Sequence, residues 1–122
     1  RGVGFGSPYV AGINDMAISF LAERNVETVR CSGMSKALSN EEQGALAPDD
    51  IFDMAVQADH PDAEALVLSC TDMRSVEVIE RLERHLGKPV ISSNQAIMFE
   101  ALLLLNIADP VPGFGHLLER PR

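Results

Sequence analysis

The chain holds two thiols, Cys31 and Cys70, in different company. Cys70 stands in Ser69-Cys70-Thr71-Asp72, four small polar residues that follow the apolar run Ala65-Leu66-Val67-Leu68. Such a run predicts a strand buried on both faces. A polar collar directly behind it is poor packing and good ligand chemistry. Met73, Val76, Ile79, Leu82 and Leu86 then recur at helical spacing, Gly87 closes the helix, and Val90-Ile91 opens another buried strand. Residues 63–94 therefore read as a strand–helix–strand unit with a cysteine in the turn between strand and helix. Open parallel sheets place their chemistry there. A thiol at a helix N-terminus meets unpaired N–H groups and the positive end of the helix dipole, and both lower its pKa toward neutrality. Arg74 would add to this effect and Asp72 would oppose it. The alternative is that Cys70 is a small hydrophobe filling the top of the sheet. Cys31 follows a predicted strand with no helix behind it, and reads as structural.

Further polar residues fall at equivalent places. Ser7-Pro8-Tyr9 ends the first predicted strand, residues 2–6, and Ser92-Ser93-Asn94-Gln95 ends the last. Asn14 lies in the first turn of the helix predicted at 10–24, where it either points into a cleft or caps. Ser7, Tyr9, Cys70, Thr71, Ser93 and Asn94 thus all sit just beyond C-terminal strand ends. With strand order 2-1-3-4, strands one and three are neighbours at the switch point, and Tyr9 and Cys70 face one crevice. The alternating glycines of Gly2-Val3-Gly4-Phe5-Gly6 invite a dinucleotide reading, but Ser7 stands where GxGxxG needs glycine. They fit better as places where a neighbouring backbone comes close.

The elements needed to hold these residues are legible. Ile13, Met16, Ala17, Phe20 and Leu21 mark the inner face of the first helix. Residues 26–30 are a second strand, and 32–47 a long polar loop of the kind that is functional or partly disordered. Pro48-Asp49-Asp50 opens a helix that buries Ile51, Met54, Ala55 and Ala58. The last helix, 95–108, is apolar almost all round and must be buried against more protein than this chain supplies. Strand and helix alternate four times, which implies one α/β domain over residues 1–122 with a parallel four-stranded sheet.

Composition narrows the partners. The 122 residues carry a formal net charge of -8, with 46% apolar and 23% charged residues, no tryptophan and one tyrosine. That balance argues against nucleic acid and against anionic membranes, and leaves an anionic substrate dependent on local positive potential. Two cysteines without a CxxC or Cys/His cluster make neither a disulfide framework nor a metal site, and fit a reduced, cytoplasmic protein. The chain opens on Arg1 directly before a strand, as a piece of something longer would.

The residues LVLSCTDMRSVEVIERLERHLGKPVISSNQA, together with Ser-Pro-Tyr after strand one and NEEQGALAPDDI before the second predicted helix, resemble the aspartate/glutamate racemase superfamily. The likeness is to the second half of its maleate cis–trans isomerase branch, and within that to bacterial ectoine-utilisation proteins. The resemblance implies a flavodoxin-like three-layer half of a two-domain racemase-type fold, whose halves close around a small carboxylic acid without a cofactor. It implies one cysteine from each half, one acting as base or nucleophile and the other as acid, with Cys70 as the second-half cysteine. It further implies that the Tyr9 hydroxyl binds a substrate carboxylate and that Asn94, and more loosely Asn14, line the pocket. Thr71 and the helix N–H groups behind Cys70 would hold carboxylate oxygens. The first half is not in this chain, so the partner would be a complementary first-half domain or a second copy in a homo-oligomer. Arylmalonate decarboxylases of the same superfamily use only the second-half cysteine, to protonate an enediolate. Isomerisation of a small carboxylate is the leading expectation, racemisation or decarboxylation the second, and a non-catalytic carboxylate-binding accessory protein the third.

Overall fold

The structure is a computed structural model that describes residues 2–122. Strands β1 (Gly2–Gly6), β2 (Glu27–Ser32), β3 (Ala65–Leu68) and β4 (Val90–Ser92) form one parallel sheet, as the alternation predicts, and its order is β2-β1-β3-β4. Helices α1 (Ala11–Ala22), α2 (Asn40–Gly44), α3 (Pro48–Ala58), α4 (Ile79–Leu86), α5 (Ser93–Leu104) and α6 (His116–Glu119) complete it.

The core lies on one face of the sheet. Leu66, Leu68 and Val90 point to that face and meet Ile51, Met54 and Ala55 of α3 and Ile79 and Leu82 of α4, all buried. Helix α3 forms where Pro48 fits the first turn and Asp49 and Asp50 complement its dipole. It presses so close to β1 that a Cβ on Gly4 would overlap the carbonyl oxygen of Ala58. Gly4 is therefore the seat of a helix backbone, while Gly2 makes room for the Asp62 carbonyl. Lys88 ties the far end of α3 to the chain entering β4: its Nζ donates to Asp59 Oδ1 at 2.7 Å and to the Ala63 carbonyl at 2.9 Å.

The opposite face is thinly covered. Val3 and Phe5 are buried there, but Ala65, Val67 and Ile91 are only half-buried. Helix α1 leans mainly on the edge strand β2, and α5 on β4 and α6. The expectation that Ile13, Met16 and Phe20 form an inner face is corrected: they are 49%, 71% and 54% exposed. Periodicity marks an apolar stripe but not what covers it. The stripe of α5 is also open, with Ile97 at 61% and Leu104 at 75% exposed.

Three boundaries differ from the sequence reading. Strand β2 runs through Cys31, and its register against β1 shifts between Val3 and Gly4, so that Val29 bulges. The stretch 32–47 contains α2. Behind Cys70 no helix starts at once: residues 69–74 are irregular, a 3-10 turn spans Ser75–Val78, and α4 begins only at Ile79. Met73, 1% exposed, drops into the core, and the Ser75 N–H closes back on the Met73 carbonyl at 2.8 Å. That backbone closure and the β-branched Val76 and Val78 delay the helix.

The seat of α3 yields a direct test. Gly4→Ala should cost about 3 kcal/mol, the scale of overpacking a close-packed contact, read as a lower urea midpoint with an unchanged slope. A midpoint equal to wild type would show that α3 is free to shift.

Candidate functional site

The site is assembled where three strands end. Beyond β1 the ladder continues as Ser69 N–H donates to the Gly6 carbonyl at 2.9 Å and Ser7 N–H to the Ser32 carbonyl at 3.1 Å. The Tyr9 backbone is then clamped on both sides. Its N–H donates to Ser7 Oγ at 3.1 Å, and its carbonyl accepts from Asn14 Nδ2 at 3.2 Å and from Met34 N–H at 2.8 Å. Ser7 Oγ donates to Asn14 Oδ1, and both residues are buried, at 0% and 2% exposed. Gly33 lies so close that a Cβ there would collide with Asn14 and the Tyr9 carbonyl. Ser7 and Asn14 thus fix the loop that presents Tyr9, and their own polar atoms face each other.

Cys70 is 3% exposed. Its N–H donates to Ser93 Oγ at 3.2 Å, and its Sγ donates to Gln43 Oε1 at 3.3 Å. Asn94 Nδ2 donates to the Thr71 carbonyl at 3.2 Å, which fastens the start of α5 to the cysteine loop. The helix end beside Cys70 is therefore that of α5, and the expected helix N-terminus directly behind the sulfur is corrected. Arg74 is also redirected: its Nε and Nη2 form a bidentate pair with Glu77 at 2.8 and 2.9 Å.

Tyr9 and Cys70 do meet. The Tyr9 phenol is pushed up to about 12, first by burial, then by hydrogen bonding with Cys70, by the charge of that sulfur and by Asp72. Tyr9 thus stays a protonated hydrogen-bond donor across the neutral range.

Gln43 is the residue that sequence reasoning missed. It lies on the underside of α2, 6% exposed, in a segment read as loop. The signal was present as a capping box: Glu42 N–H donates to Ser39 Oγ at 3.1 Å while Ser39 N–H donates to Glu42 Oε1 at 3.0 Å. Cys31, read as structural, is exposed on β2 in a shallow depression with Asp15 and Met34. Partial burial, and then the Asp15 carboxylate, push its thiol up. Beside Asn94 a cavity of about 310 Å³, walled by Val76, Met98, Leu102 and Phe114, runs along α5. Among the described residues no cluster of three or more His, Cys, Asp or Glu could hold a metal ion, and no helix is long and apolar enough to cross a membrane.

A parallel α/β domain with a buried thiol and a phenol at the C-terminal edge of its central strands defines the class. Residues 1–118 match the arylmalonate decarboxylase family, and the chain belongs to it. It is 29% identical over 98% of its length to the arylmalonate decarboxylase of Bordetella bronchiseptica, covering 50% of that protein. It is 27% identical over 93% of its length to the maleate isomerase of Alcaligenes faecalis, covering 45% of that protein. Among solved structures, a cysteine-to-serine mutant of the Nocardia farcinica maleate cis–trans isomerase with a covalently bound succinylcysteine intermediate superposes with a TM-score of 0.93 at 25% identity. It is matched over 100% of this chain and 50% of that one. A crystal structure of arylmalonate decarboxylase gives 0.87 at 28% identity, over 97% of this chain and 53% of that one. The chain spans about half the length of the curated relatives it matches.

Because Tyr9 is the only tyrosine and tryptophan is absent, phenolate absorbance reports this one group. The folded protein should titrate near 12 and the denatured chain near the ordinary 10.0. Between those values the unfolded chain has released a proton that the folded one keeps, so stability falls as pH rises through that window. Cys70→Ala should bring the folded midpoint down. A folded midpoint at the ordinary value would remove Tyr9 from the neighbourhood of the sulfur.

Proposed function

We propose that this chain is the Cys70-bearing half of a cofactor-independent isomerase of a small carboxylic acid, of the maleate isomerase kind. On the sequence resemblance alone we assign it to ectoine breakdown. The observation that carries the reading is the meeting of Cys70 Sγ, the Tyr9 phenol and the Asn94–Thr71 pair at one sheet edge. Supporting it, the relatives similar over nearly the whole chain are maleate isomerases and an arylmalonate decarboxylase, and one of those isomerases is described with succinylcysteine.

Thiols can serve such a reaction in two ways, by adding to the alkene or by moving a proton to and from carbon. Cys70 suits the second. Its sulfur donates to an amide oxygen, and Arg74, the cation on its own loop, pairs with Glu77. A thiolate from a complementary half would add to one alkene carbon, and the electron pair would pass to the neighbouring carbon, where Cys70 S–H delivers a proton. After rotation about the new single bond, the proton returns to sulfur and the carbanion expels the first thiolate, leaving the trans acid. Tyr9 donates to a substrate carboxylate, and Asn94 lines the same edge. The partner is a second α/β half, separate or a second copy, seated on the open apolar residues of α1 and α5. A half-length match to the relatives supports that arrangement.

A second reading, favoured by the same Cys70-to-Gln43 hydrogen bond, is decarboxylation or racemisation in which this thiol alone protonates an enediolate. Solvent deuterium at the α-carbon of a saturated product separates it from isomerisation. For either reading, Cys70→Ser in the assembled protein should cut turnover about a thousandfold, the usual scale for a proton-transfer group, with an unchanged circular dichroism spectrum. Wild-type turnover in that variant would remove Cys70 from the chemistry and leave the accessory, binding-only role.

A further inference from the structure

We propose that Gln43 is a positioning residue that takes the hydrogen bond of the Cys70 thiol, holds it in its S–H form and aims it at α2. The inference rests on the reading of Cys70 as the working thiol, and adds what controls it.

The geometry leaves the amide of Gln43 one orientation. Its Nε2 donates to the Leu38 carbonyl at 3.2 Å, and a carbonyl can only accept, so Oε1 is the atom that faces the sulfur at 3.3 Å. An amide oxygen has no proton to give. The contact is therefore made by S–H and lost by a thiolate, which would set two acceptors against each other in a buried place. The backbone holds the amide in position: Gln43 N–H donates to the Ser39 carbonyl at 2.9 Å, inside the turn closed by the Ser39–Glu42 capping box. Gly44, the next residue, packs against the Asp72 carbonyl of the cysteine loop, where a Cβ would stand at 3.4 Å. Helix α2 thus lies over the cysteine turn and places an acceptor, with no charge, against its sulfur.

The facing groups oppose each other. Tyr9, held protonated, approaches the same sulfur as a donor, which favours a thiolate, and the negative charge of Asp72 nearby disfavours one, so the acceptor on Gln43 decides the balance. The row Tyr9 O–H, Cys70 S–H, Gln43 C=O is a directed donor chain that ends on α2. Replacing Gln43 by a residue of equal length without an oxygen removes only the last link.

The test uses the full chain in a Cys31→Ser background, where Cys70 is the one thiol, alkylated with chloroacetamide across a pH series. Gln43→Met should lower the pH midpoint of alkylation and raise the rate at neutral pH about fivefold, the factor that one modest hydrogen bond represents. Gln43→Glu keeps an oxygen acceptor and should not lower the midpoint. A merely structural role would change the rate by the same factor at every pH and leave the midpoint in place, which would overturn the proposal. Should the variants not fold, the infrared S–H stretch of the unsubstituted Gln43 protein decides. A band shifted below that of a free thiol supports the bond, and a band at the free position overturns it. Neither readout uses substrate, so loss of turnover in Cys70→Ser can stand while the Gln43 proposal falls, and the reverse.

Discussion

The contact on which this structure depends is that of a helix backbone against a strand backbone, α3 against β1 at Ala58 and Gly4. An ordinary side chain at residue 4 would lift α3 off the sheet. Only residues 45–47 separate α2 from α3, so the place of α2 over Cys70 follows from that seat. The thiol's surroundings are thus set partly by a glycine on the neighbouring strand β1. Lys88, reaching three acceptors just beyond Ala58, fixes the same C-terminal end of α3.

Burial is unequal on the two sides of the sheet. The α3–α4 face holds a complete apolar core, whereas the other face leaves β3 and β4 residues half-covered and the stripes of α1 and α5 open. Exposed side chains of this size, Met16 and Phe20 on α1 and Ile97, Met98 and Leu104 on α5, leave apolar area open to water. The open helices start from the same sheet edge that carries Tyr9 and Asn94. A body seated on them would lie beside the site.

Much of this was legible in the residues. Apolar runs bounded by small polar residues marked β1, β3 and β4, and the alternation of elements marked a parallel sheet, whose observed order joins Tyr9 to Cys70. Two things were not legible. Helical spacing in Met73, Val76 and Ile79 suggested a helix starting at the cysteine, but local bonding of Ser75 and burial of Met73 delayed it by two turns. Gln43 was hidden because a polar, glycine-containing stretch reads as loop unless its capping box is given weight. A five-residue helix has too few apolar positions to show a period.

The bulge in β2 bears on a different property, the way this chain meets others. A parallel sheet has two outer strands whose unpaired amides invite strand addition and aggregation. Here one border is kinked at Val29 and carries the charges of Glu27 and Arg30, and the other, β4, is three residues long. Both borders are blunt. Growth of the sheet sideways is disfavoured at each, which leaves side chains on helices, and not main-chain ladders, to select a companion.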